Sequence, residues 1–158
     1  MKPKVRKNFY NLKRLLRREE FKLYLDVANC NLKCAMCPRG GISGLTNDAR
    51  GLMSLGLFRD IINKFIEENV RICHFEVGNW GEPLLNPELP RMIRYLKESW
   101  PPAWMGQPGR IEISTNLNHL ADPEELLGSG ITHIGISVSG MTQEAYSKNH
   151  IGGRIDLV

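Results

Sequence analysis

The sequence has no run approaching the roughly 18 consecutive apolar residues that a membrane-spanning helix requires. Its basic N-terminus also lacks the apolar stretch of a secretory signal. The chain therefore reads as cytoplasmic, with no membrane partner. No internal repeat appears beyond an alternation of strand-like and helix-like segments, which excludes a solenoid. Acidic residues are missing from residues 1–18, which hold eight Lys or Arg. The remaining residues carry 13 bases against all 17 acids, so the formal charge of +4 belongs to this leader. Within residues 1–20, NLKRLLRREE reads as a basic leader helix that packs Leu12, Leu15 and Leu16 on the domain. A basic arm can instead bind nucleic acid or an acidic surface. Without interleaved aromatics or a known nucleic-acid motif, a nucleic-acid partner is not expected. With 158 residues, 42% of them hydrophobic, the chain can form one globular domain.

Residues 21–158 alternate strand and helix. FKLYLDVAN (Phe21–Asn29) predicts a first strand. A helix after Ser54 follows, with Leu57, Phe58, Ile61, Ile62, Phe65 and Ile66 on one face. RICHFEV (Arg71–Val77) predicts the second strand. Asn86 as cap and Pro87 in the first turn then open a helix whose buried stripe is Leu89, Met92, Ile93 and Leu96. The loop WPPAWMGQPG ends that helix. RIEIST (Arg110–Thr115) predicts a third strand, and Asp122, Pro123 and Glu125 open a short helix closed by Gly128. THIGISVS (Thr132–Ser139) predicts the fourth strand, and Thr142 starts another helix. Four such units predict an α/β fold with a parallel sheet, open or closed into a barrel.

The strands are apolar on one side only, whereas a parallel sheet covered on both faces is apolar on both. Leu23, Leu25 and Val27, Cys73, Phe75 and Val77, Ile111 and Ile113, and Ile134, Ile136 and Val138 make up the apolar sides. The other sides offer Tyr24 and Asp26, His74 and Glu76, Glu112, Ser114 and Asn116, and His133, Ser137 and Ser139. A curved, barrel-like sheet with a polar lumen accounts for both. Because four units leave two open edges, the chain is expected to be the N-terminal part of a longer protein.

Cysteine is scarce, and three of the four cysteines, Cys30, Cys34 and Cys37, fall within CNLKCAMC. That crowding is poor geometry for mutual disulfides and points to a metal. The trio lies where the first strand feeds its loop, the end at which parallel barrels build active sites. Thiolates ligate iron-sulfur clusters, normally four to a cluster. Three local thiols leave one iron open to bind a small molecule. The rival is a structural zinc in a non-catalytic binding module that uses the basic leader, and it needs Cys73 or His74 as fourth ligand. Cys73 also reads as a small buried hydrophobe, and His133 as structural. His74 and Glu76 either line a substrate space or satisfy each other. Trp80 either covers a cofactor pocket or packs.

At this point the chain resembles the radical S-adenosylmethionine (radical SAM) enzymes, whose signature is Cys-x3-Cys-x2-Cys after the first strand of a partial barrel. GNWGEP (Gly78–Pro83) resembles the family's Gly-Gly-Glu-Pro segment, ISTN (Ile113–Asn116) its third strand end, and GISVSGMTQEAYSKNHIGG a segment of SPASM-type members. Ser139 stands where relatives often carry Asp. The resemblance implies a 4Fe-4S cluster on Cys30, Cys34 and Cys37. It also implies S-adenosylmethionine held by Met36, Gly81, Glu82, Pro83, Ser114, Asn116 and Ser137, with Met36 toward the adenine. It further implies an oxidoreductase-type enzyme: a reduced cluster breaks a carbon-sulfur bond of SAM, and the 5'-deoxyadenosyl radical so formed takes hydrogen from a substrate in the lumen. A flavodoxin or ferredoxin would donate the electron. The substrate is unknown, and the SPASM-like segment tilts the expectation toward a peptide or protein.

Overall fold

A computed structural model describes residues 21–38, 51–101 and 109–158 of the chain. The leader helix and most of WPPAWMGQPG lie outside the described residues. The elements run β1 (Phe21–Leu25), α1 (Leu55–Glu67), β2 (Ile72–Val77), a 3-10 turn (Pro83–Leu85), α2 (Leu89–Ser99) and β3 (Arg110–Thr115). α3 (Pro123–Leu127), β4 (His133–Ile136), α4 (Gln143–Asn149) and a second 3-10 turn (Ile155–Leu157) complete them. The strands form one parallel sheet in the order β1-β2-β3-β4. The expected α/β architecture of a partial parallel barrel is thus observed.

Local chemistry explains most element starts. The Ser54 hydroxyl accepts from Leu57 N at 3.2 Å, Asp122 caps Glu125 N at 2.8 Å, and Thr142 caps Ala145 N at 3.2 Å. The core lies on the helix-facing side of the sheet. There Phe58 and Ile62 of α1 and Leu89, Met92, Ile93 and Leu96 of α2 meet Phe75, Val77, Ile111 and Ile113 of the strands. Trp100 meets Phe75 edge-on, with ring centroids 4.8 Å apart.

Five expectations need correction. β1 ends at Leu25 instead of Asn29, because its neighbour turns away. The last link is Gly78 N to the Leu25 carbonyl at 2.6 Å, and Gly78 has φ +89°, a conformation glycine adopts without strain. β4 ends at Ile136 for the same reason: β3 turns at Leu117, φ 57°, so Val138 and Ser139 have no ladder to join. At an edge of the sheet, β4 leaves Ile134, Ile136 and Val138 exposed instead of buried under a helix. Leu57 is likewise exposed, and the buried stripe of α1 runs through Leu55, Phe58 and Ile62. Asn86 is not the cap of α2, which starts three residues later. Its buried amide instead donates to the carbonyls of Val27 and Met53, both at 2.9 Å, stitching the segments after β1 and before α1 to the β2 loop.

Candidate functional site

The carboxyl ends of the four strands surround a cavity of about 370 Å³. Cys30, Cys34, Met36 and Cys37 come from the β1 loop, and Asn79, Trp80, Gly81 and Glu82 from the β2 loop. Ser114, Thr115 and Asn116 end β3, Ser137 and Ser139 follow β4, and Asn149 and His150 end α4. Of the residues expected to contact a cofactor, only Pro83 is absent from the cavity wall. It is buried behind it, against the position where Gly78 would carry a Cβ.

Glu82 organises the strand ends. Its side chain is fully buried, and it takes the Thr115 hydroxyl on Oε1 at 2.7 Å, Asn116 N on Oε2 at 2.7 Å, and Leu84 N on Oε1 at 3.1 Å. Burial pushes its pKa up, opposed by these donors. Glu82 is therefore occupied with protein donors, and ties the β2 loop to the end of β3. The same loop is pinned on its other side, where Glu82 N donates to the Asn29 carbonyl at 2.9 Å. Gly81 permits that approach, since a Cβ there would stand 2.0 Å from the Ala28 carbonyl oxygen. Asp26 draws the loop in as well, its Oδ1 accepting from Asn79 N and Trp80 N at 2.9 Å each.

The cysteine loop is held from the opposite side by the segment after α4. Lys33 N donates to the Ile151 carbonyl at 3.0 Å and Ala35 N to the Asn149 carbonyl at 2.9 Å. His150 stacks on Tyr146, rings 2° from parallel and 4.5 Å apart, and its Nδ1 lies 2.6 Å from the Ser139 hydroxyl. Desolvation holds its imidazole below the ordinary range. The Tyr146 hydroxyl accepts from Asn118 Nδ2 at 2.9 Å. Met36 is 84% exposed and Trp80 48%, both at the cavity mouth.

The donor set fits a cluster better than one zinc ion. All four thiols are free. Burial, then the mutual repulsion of the cysteines, raises the Cys34 thiol, and burial chiefly raises Cys30, so a positive partner is needed to hold both as thiolates. Zinc-sulfur bonds of about 2.3 Å put tetrahedral thiolates within about 4 Å of one another. Among the described residues the one His/Cys/Asp/Glu trio with ligand atoms all within 4.8 Å is His74, Glu76 and Glu112, so the three thiols are spread more widely. Neither proposed fourth ligand joins them. The Cys73 thiol donates to the Phe21 carbonyl at 3.3 Å, at the opposite end of β1. It is half-buried there, a correction to its reading as a buried hydrophobe. His74 is engaged in the lumen with Glu112, at 2.9 Å, and Glu76 instead takes the Ser114 hydroxyl at 3.3 Å.

The model of the radical SAM superfamily matches residues 24–157. The chain belongs to the radical SAM superfamily. Members of this superfamily use a 4Fe-4S cluster and S-adenosylmethionine, and Cys30, Cys34 and Cys37 are the residues of this chain suited to hold the cluster. A probable GTP 3',8-cyclase of Methanococcus maripaludis is 32% identical over 133 residues, and one of Methanococcus vannielii is 30% identical over 132. The alignments cover 82% of this chain but only 39% of either relative. The structure of BtrN in complex with AdoMet and 2-DOIA superposes with a TM-score of 0.57 at 20% identity, covering 87% of this chain and 48% of that one. This likeness shows the shared fold.

Asn79, Thr115 and Asn149 are not singled out by the sequence as cavity residues, whereas His150 occupies the place where relatives often carry an Arg. Asn149 and His150 reach the wall only because α4 returns to the cysteine loop, a long-range packing event. Thr115 carries a signal in hindsight: it sits inside ISTN, but faces the helix side by alternation, and reaches the site through Glu82. Among the described residues, no helix is long and apolar enough to cross a membrane.

Proposed function

We propose that this chain carries the cofactor-binding site of a cytoplasmic radical SAM enzyme that abstracts hydrogen from its substrate. The observation that carries the reading is the convergence of the cysteine loop, the Glu82-braced β2 loop and the ends of β3 and β4 on one cavity. When bound, the reduced cluster and SAM together supply one electron and a carbon-centred oxidant strong enough to take a hydrogen atom.

The protein's own contribution is positioning. Cys30, Cys34 and Cys37 line the cavity from one short loop and would hold a cluster through three of its irons. Gly81 and Glu82 present the β2 backbone to that space, while Ser114, Ser137 and Ser139 offer hydroxyls for the amino acid and ribose of SAM. Met36 and Trp80 offer apolar surface at the mouth for the adenine. Below lies the polar lumen of His74, Glu76, Glu112 and Ser114, where a substrate approaches without contacting the apolar core.

A flavodoxin or ferredoxin is the proposed electron donor. GTP is the first substrate to test, given the named activity of the relatives, although the alignment covers only 39% of those proteins. A peptide or protein substrate, suggested by the SPASM-like segment after Gly135, is the second. The test is anaerobic reconstitution, dithionite reduction and chromatography of the products of SAM. Release of 5'-deoxyadenosine and methionine is expected. A folded, cluster-loaded protein that leaves SAM intact, with and without substrate, overturns the reading.

A further inference from the structure

The three cysteine sulfurs are not equivalent. Cys30 Sγ faces two nitrogen donors: its near neighbour Leu32 N, at 3.5 Å, and the side-chain amide of Asn116, 86 residues away in sequence, at 3.7 Å. The orientation of that amide is fixed on all sides. Asn116 N donates to the buried Glu82 carboxylate, and its Oδ1 accepts from Asn118 N at 2.9 Å. Its Nδ2 also donates to Asn31 Oδ1 at 3.0 Å. With Oδ1 committed as an acceptor, Nδ2 is the end turned toward Cys30, so the amide presents N–H and not a lone pair to the sulfur.

We infer that Asn116 is a positioning residue that holds Cys30 and raises the reduction potential of the cluster bound there. Hydrogen bonds to a ligating sulfur stabilise the reduced, more negative state, and such outer contacts are among the main levers on cluster potential. This role differs from a contact to SAM, and it rests on the cluster reading above. Glu82 acts one step further out: by fixing the backbone of Asn116 it fixes the direction of the N–H···S contact.

The test is an EPR-monitored redox titration of the reconstituted protein, wild type, Asn116→Ala and Asn116→Asp, without SAM, after iron and sulfide analysis. Asn116→Ala is expected to keep its iron and titrate at a more negative potential. Asn116→Asp, which replaces the donor with a negative acceptor, is expected to shift further in the same direction. Asn118→Ala is the control, since Asn118 Nδ2 donates to the Tyr146 hydroxyl and the Asn116 carbonyl and has no bond to Cys30. It is expected to leave the potential in place. Unchanged potentials in fully loaded Asn116 variants, or an equal shift in Asn118→Ala, overturn the inference while leaving the cluster reading intact. A wild type that holds no iron or sulfide instead overturns the cluster reading itself. If both Asn116 variants lose the cluster, wild-type protein labelled with 15N only at the asparagine side-chain amides decides the matter. A 15N hyperfine coupling to the reduced cluster supports the contact, and its absence overturns it.

Discussion

The Glu82 carboxylate accepts the backbone N–H of Asn116 at 2.7 Å, across 34 residues of sequence and between two neighbouring strand ends. A second short bond, from the Thr115 hydroxyl at 2.7 Å, and a third from Leu84 N complete its shell. Buried donors left without their acceptor cost about 1–3 kcal/mol each. Glu82→Gln keeps the shape but has one acceptor oxygen in place of two. It is expected to lose about 1–3 kcal/mol of stability in urea unfolding and to bind SAM more weakly, with iron content retained. Unchanged SAM affinity by calorimetry would count against Glu82 as the brace of the cofactor cavity.

Gly81 tests the same brace by sterics. A Cβ 2.0 Å from the Ala28 carbonyl oxygen forces the β2 loop off the end of β1, so Gly81→Ala is expected to cost about 2–3 kcal/mol and to impair cluster loading. Gly56→Ala in α1 is the comparison. Its nearest neighbour would be the Ser54 hydroxyl at 3.8 Å, an ordinary contact, and alanine there is expected to stabilise by up to about 1 kcal/mol. Melting curves of the two variants should move in opposite directions.

The cysteines separate by position on the sheet. Cys34 faces the cavity, whereas the Cys73 thiol bonds to Phe21 at the far end of β1. Cys34→Ala should abolish the cluster and Cys73→Ala should retain it, as read by iron and sulfide analysis. A full cluster in Cys34→Ala would contradict the ligand assignment.

His150 gives a pH signature. Burial depresses its folded pKa, so its neutral form contributes stability above the unfolded value of about 6.5, and that contribution is lost as pH falls through the folded value. The wild-type melting temperature should fall on acidification from pH 7 toward pH 5. Part of that fall should be missing in His150→Gln, which can still bond the Ser139 hydroxyl. Equal falls in both proteins would mean that His150 carries no charge penalty.

Much of this architecture was legible in residues 21–158 because strand and helix periods are local. Ser54, Asp122 and Thr142 cap the helices they were expected to start, and the stripe of Leu89, Met92, Ile93 and Leu96 is buried as its spacing implies. The errors share a cause. Strand ends at Leu25 and Ile136, and the displaced role of Asn86, depend on where a neighbouring strand turns, which no local pattern encodes. The triple-cysteine motif marked the site for the same reason that the capping residues marked helices: its spacing is chemical. Asn149 carries no such mark, because only the return of α4 to Lys33 and Ala35 brings it to the wall.

EPR spectroscopy of the reconstituted, dithionite-reduced protein, with and without SAM, tests the central claim most directly. The account predicts a reduced 4Fe-4S signal that changes when SAM is added, because a coordination site facing the cavity gains a ligand. A folded protein that holds zinc on the three cysteines and shows no such signal would contradict it.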